Sequence, residues 1–67
     1  MMQLDTQALK DAMTVKFYSG ARLAEETGIT RQSVYRILRG ENQPKPENFE
    51  AICRVLEVDP RDLLKEV

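Results

Sequence analysis

The 67-residue sequence predicts an all-α fold of five short helices, and three kinds of observation carry that prediction. Apolar residues recur at helical spacing, as in Leu9, Ala12 and Met13, or Phe49, Ile52, Cys53 and Leu56. Residues that cap helix starts, Asp5, Ser19, Thr30 and Asp59, stand just before such stretches, and Pro46 and Pro60 sit where a first helical turn accepts proline. Gly28 and Gly40 stand where two of the stretches end.

The first helix is expected from Thr6 to Phe17, with Leu9, Ala12, Met13 and Phe17 as its inner stripe at i, i+3, i+4 and i+8. Methionine and aromatic residues at that spacing are core, not a cofactor box. The second covers about Gly20 to Thr27 and turns Leu23 and Ala24 inward. Small Ala24 lets a neighbouring helix approach closely, and Gly28 can take the positive φ of a sharp corner that Ile29 plugs. Thr30 caps the third helix, Arg31 to Arg39, which packs through Val34 and Ile37. Glu41 to Lys45 form a loop, and a fourth helix runs from Pro46 to about Glu57. Asp59 caps a fifth helix, with Pro60 in its first turn and Leu63, Leu64 and Val67 as its apolar side. No strand is expected.

Two helices joined through Gly28 and Thr30 form a helix-turn-helix unit, and its outer face points to DNA. At about 100° per residue, Arg31, Gln32, Tyr35, Arg36 and Arg39 fall within an arc of roughly 140°, opposite Val34, Ile37 and Leu38. The exposed set holds three arginines and a glutamine and no acid, a combination suited to guanine and adenine edges or to phosphates in a major groove. An ordinary solvated face usually mixes glutamates among its basic residues.

The stretch LAEETGITRQSVYRILRGENQP resembles the core of the lambda-repressor-like helix-turn-helix family, which includes Cro proteins and Xre-type regulators. The pattern is an apolar residue and Ala24, then Gly28 and Ile29, then Val34 and Ile37, then Gly40. It continues through Pro44, the apolar series Phe49, Ile52, Leu56 and Val58, and the turn at Pro60, spanning residues 9 to 66. The resemblance implies a five-helix DNA-binding domain.

Three departures from the family pattern matter. Gly20 stands where the family often has a phosphate-bracing glutamine. That side-chain contact is absent, although the backbone N–H of Gly20, with Ser19 as cap and second donor, can still face a phosphate. Met13 and Leu38 stand where the family commonly pairs an arginine with a glutamate. Both charges have become apolar together, a change that is often neutral or stabilising for a buried pair. Glu41 follows Gly40 where the family favours a basic residue, which lowers the expected affinity for the DNA backbone.

Composition fits one domain over residues 1–67. A chain this short buries only about 60% of the surface its unfolded form exposes, so modest stability is expected. The net charge is −1, yet residues 30–40 carry three arginines and no acid, while Glu47, Glu50, Glu57, Asp59, Asp62 and Glu66 outnumber the bases beyond residue 46. A basic reading face and an acidic back orient a domain on a polyanion and weaken non-specific binding. The single Cys53 lies on a helical stripe and reads as a buried structural thiol. There is no run of about 18 apolar residues and no signal-like segment, so a cytoplasmic location without membrane contact is expected.

Catalysis has little support. The chain has no histidine, one cysteine and no glycine-rich phosphate loop, so no enzyme, metal, cofactor or small-molecule ligand is expected. Glu25 and Glu26 read as a solvated edge. The expected function is sequence-specific binding of duplex operator DNA, in the manner of a Cro-like phage or prophage repressor. Arg31, Gln32 and Arg36 are assigned to base edges. Ser19, Gly20, Ser33, Tyr35, Arg39 and Lys45 are assigned to the backbone or its flanks. Lys45 alternatively serves only the turn between Pro44 and Pro46.

One recognition helix covers few base pairs, so a homodimer is expected, with Leu63 and Leu64 at its interface. Two other functions share parts of this pattern. One is an antitoxin-type autorepressor of a toxin–antitoxin module. The other is a helical protein-interaction adaptor that does not bind DNA, against which the acid-free arginine face argues.

Overall fold

Asp5 separates two kinds of backbone. In the computed structural model, which describes residues 1–67, its Oδ1 accepts from the N–H groups of Gln7 and Ala8, both at 3.1 Å, and so starts α1 (Thr6–Val15). The residues before it are extended: β1 (Met2–Leu4) pairs antiparallel with β2 (Leu64–Glu66), matching Gln3 to Lys65. The ladder continues at both ends, through Asp5 N–H to the Leu63 carbonyl at 2.8 Å and Val67 N–H to the Met1 carbonyl at 2.9 Å.

Between the strands lie α2 (Gly20–Thr27), α3 (Arg31–Leu38) and α4 (Pro46–Leu56), then a 3₁₀ turn over Pro60–Leu63. The caps fall where the sequence puts them. Ser19 Oγ accepts from Arg22 N–H at 3.0 Å and Thr30 Oγ1 from Ser33 N–H at 3.2 Å, while Asp59 Oδ1 accepts from Arg61 N–H at 2.9 Å. Gly28 and Gly40 both have left-handed backbone, at φ 79° and 78°.

The core is one apolar cluster. Leu9, Leu23, Val34, Ile52, Leu56 and Leu63 are its most completely enclosed side chains, and each contributes roughly 1.5–3 kcal/mol by leaving water. α2 packs on α3 and α4, and α1 packs on α3 and the 3₁₀ turn. Ile29 plugs the corner, Met13 is buried in the cluster, and half-buried Leu38 packs against it. Cys53 is enclosed, and burial raises its thiol pKa, with Asp59 adding to the shift.

Three expectations are corrected. The fifth helix is a single 3₁₀ turn followed by a strand. Leu64 is already extended, because the backbone beyond Leu63 finds its partners in β1 and not in a further helical turn. Phe17 is not core: α1 stops at Val15, and Phe17 takes left-handed backbone at φ 57° and points into solvent. A Schellman closure fixes this, with Phe17 N–H on the Thr14 carbonyl at 3.0 Å and Tyr18 N–H on the Met13 carbonyl at 2.8 Å. Leu63 is not available to a partner, being 1% exposed within the monomer's own core, while Leu64 is half-buried in β2.

Long-range polar contacts hold the loop after α3. Gln43 Oε1 accepts from Leu4 N–H at 2.9 Å, and its amide nitrogen reaches Gln3 Oε1 at 3.3 Å. The outward N–H of an edge strand is thereby satisfied, and the segment that leads from α3 to Lys45 is tied to the hairpin.

Candidate nucleic-acid interface

The outer face of α3 is built by its cap and its buried side. Thr30 ends the turn with a reciprocal pair of bonds, accepting from Ser33 N–H and donating to Ser33 Oγ at 2.9 Å. Val34 and Ile37 are buried. The remaining arc therefore faces water, with Arg31, Gln32, Tyr35, Arg36 and Arg39 all exposed. Neither Arg31 nor Arg36 is engaged in an ion pair, so both guanidinium groups present their donors outward.

Each side of this face is flanked by a helix start. On one side, the N-terminus of α2 lies under Tyr35. Gly20 is buried there, and a Cβ on it would stand 2.7 Å from two ring carbons and 3.0 Å from the phenol oxygen. Arg22, in the first turn of α2, lies with its guanidinium carbon 4.2 Å from the centre of the Tyr18 ring, a cation–π contact worth roughly 0.5–1 kcal/mol at an exposed site. The sequence gives no signal for this contact, because Tyr18 precedes the Ser19 cap and helical spacing does not pair it with Arg22.

On the other side, a polar concavity opens between α3 and the start of α4. Ser33, Asn42, Lys45 and Asn48 contribute to its lining. Lys45 is the N-cap residue of α4 and gives no side-chain cap bond, and Pro46 occupies the first turn. Free N–H groups and an exposed ammonium thus lie together at one helix start, the combination that favours an anion.

Arg39 differs from its neighbours. Its Nε donates to Glu41 Oε2 at 2.7 Å and its Nη2 to Glu41 Oε1 at 3.4 Å. The hydrogen bond from Arg39 lowers the carboxyl pKa of Glu41, and Arg36 adds a smaller electrostatic contribution in the same direction. Glu41 raises the pKa of Arg39 in return. The base-assigned residues Arg31, Gln32 and Arg36 thus lie together on one helix. Ser19 and Gly20, beneath the ring of Tyr35 from α3, flank them on the α2 side, and Ser33 of α3 together with Lys45 flanks them on the α4 side. Leu63 and Leu64 lie apart from this face, at the turn and hairpin.

A small helical domain with a capped, acid-free helix set across a second helix is the architecture of DNA-binding regulators. Residues 18–63, more than half of the chain, match the family described as Helix-turn-helix, and the chain belongs to that family, in its Cro/C1 type. It is a DNA-binding transcriptional regulator. Among solved structures it is similar to the crystal structure of the restriction-modification controller protein C.AhdI from Aeromonas hydrophila. Identity is 28%, the match covers 85% of this chain and 86% of that one, and the TM-score is 0.79. No curated protein sequence matches. No helix is long and apolar enough to cross a membrane.

Proposed function

We propose that this chain is a sequence-specific repressor or controller that binds a palindromic duplex operator as a homodimer, with α3 in the major groove and α2 across the backbone. The observation that carries this reading is the exposed face of α3, on which neither Arg31 nor Arg36 is in a salt bridge and Gln32 stands between them. Arg36 has the fork geometry for the O6 and N7 of guanine, and Gln32 suits adenine. Ser19, the backbone of Gly20, Tyr35 and Arg22 serve phosphates on one flank, and Ser33 and Lys45 serve them on the other.

Small regulators of this form are carried by phages and prophages, and the Cro resemblance supports a switch of that kind. The similarity to C.AhdI supports a second role, that of a restriction-modification controller. Both use the same chemistry on DNA. Selection of bound sequences from a random duplex pool tests the common reading. The expected result is a two-fold symmetric site with half-sites about 10–10.5 base pairs apart. Affinity that does not fall with added salt, or selected sites without symmetry, would overturn it.

A further inference from the structure

Arg39 sits on the DNA-facing arc of α3, yet in the free domain its guanidinium is already occupied. The cause lies in the helix end. Gly40 N–H bonds the Ile37 carbonyl at 3.0 Å and Glu41 N–H bonds the Arg36 carbonyl at 2.9 Å, which folds the chain back over the last turn of α3. Glu41 is thereby fixed beside Arg39, and its two carboxylate oxygens take Nε and Nη2 at 2.7 and 3.4 Å. That is the two-pronged arrangement by which a guanidinium grips a phosphate.

We propose that Glu41 is an intramolecular stand-in for a DNA phosphodiester, holding Arg39 in the free domain and releasing it only when docking brings a backbone phosphate against the end of α3. The proposal rests on the DNA-binding reading above and assigns a regulator within that interface. Both partners are more than half exposed, and a surface pair of this kind shifts an equilibrium by no more than about fivefold. Such a pair cannot block binding. It can discount it, and the discount falls hardest on loose, non-specific complexes, in which no phosphate is held in register with Arg39. On an operator, the base contacts of α3 fix the register and the exchange of carboxylate for phosphate is completed. Glu41 in this way widens the gap between specific and random sequence.

The test is a double-substitution cycle read by binding to a random duplex across a salt series. Glu41→Gln is expected to raise random-duplex affinity about three- to fivefold and to steepen the salt dependence by about one phosphate contact. In an Arg39→Gln background the same change should raise affinity less than twofold. Equal gains in the two backgrounds would overturn the proposal, because Glu41 would then act only as a nearby negative charge. Absence of duplex binding by wild type and all variants at low salt would instead remove the DNA reading and the proposal with it. The free protein supplies a second measurement. The Arg39 Nε proton should exchange slowly enough to be seen by NMR near neutral pH in wild type and should be lost in Glu41→Gln; equal exchange in both would also overturn the proposal.

Discussion

The ring of Tyr35 occupies the space that any side chain on residue 20 would enter, so Gly20 and Tyr35 form one unit across the α2–α3 corner. A Cβ on residue 20 would come within 2.7 Å of two ring atoms. The missing glutamine of the family pattern thus has a structural counterpart: a tyrosine from the recognition helix reaches the start of α2, where that glutamine would project.

Gly20→Gln should therefore expel the ring. The clash falls on the outer atoms of a side chain that is 40% exposed, so the ring can swing into solvent and stability should change by less than about 1 kcal/mol. DNA affinity should fall for operator and random duplex alike, because a phosphate-side group is displaced. Adding Tyr35→Ala should restore much of the loss by giving the glutamine its place. Thermal melting and duplex titration of the two variants check this; an unchanged Tyr35 environment in Gly20→Gln would disprove the coupling.

Leu63 provides a test of core against interface. It is 1% exposed and touches the central cluster, so Leu63→Ala should cost roughly 2–5 kcal/mol through lost burial and a residual cavity. The loss should be the same at two protein concentrations tenfold apart. A denaturation midpoint that moves with concentration in wild type but not in the variant would put Leu63 at a subunit contact.

Asp59 gives the domain an acid-sensitive cap. The Arg61 side chain, and then the Arg61 backbone N–H, hold its carboxyl down to about 2 from an ordinary 3.8. A depressed carboxylate pKa stabilises the fold above the unfolded value, and that contribution is lost as pH falls through the folded one. The stability difference between wild type and Asp59→Asn should therefore be constant above about pH 5 and shrink between pH 4 and 2. Urea midpoints measured across that range check it, and a difference that grows on acidification would contradict the assignment.

The corner from Leu23 to Ile37 was legible because its determinants are local. A threonine hydroxyl three residues from the N–H it caps, and a glycine at a left-handed turn, are visible in any window that contains them. Phe17 misled for a related reason: a helical count extends past the point where the Schellman closure rotates the next residue outward, and nothing in the spacing marks that point. The hairpin was invisible because strands of three residues show no period, and its partners lie at opposite ends of the sequence. The same separation hid the Gln43 bond to Leu4. At the site, side-chain types announced the arginine face, but the salt bridge of Arg39 to Glu41, with Arg31 and Arg36 in none, depends on how the chain folds back after Gly40.

Reading and anchoring should separate by substitution. Gln32 and Arg36 lie one turn apart on the exposed arc, while Lys45 stands at the start of α4 beside the polar concavity. Arg36→Ala should cost about 1–3 kcal/mol on the operator and relax preference at one base pair in each half-site. Lys45→Ala should weaken all duplexes about equally and reduce the salt slope by about one unit per contact. Competition titrations against an operator, single-base variants and random duplex distinguish the two effects. If Arg36→Ala lowers specific and random affinity by one common factor and leaves base preference unchanged, Arg36 belongs with the phosphate contacts, and the reading of sequence must fall to Gln32 and Arg31.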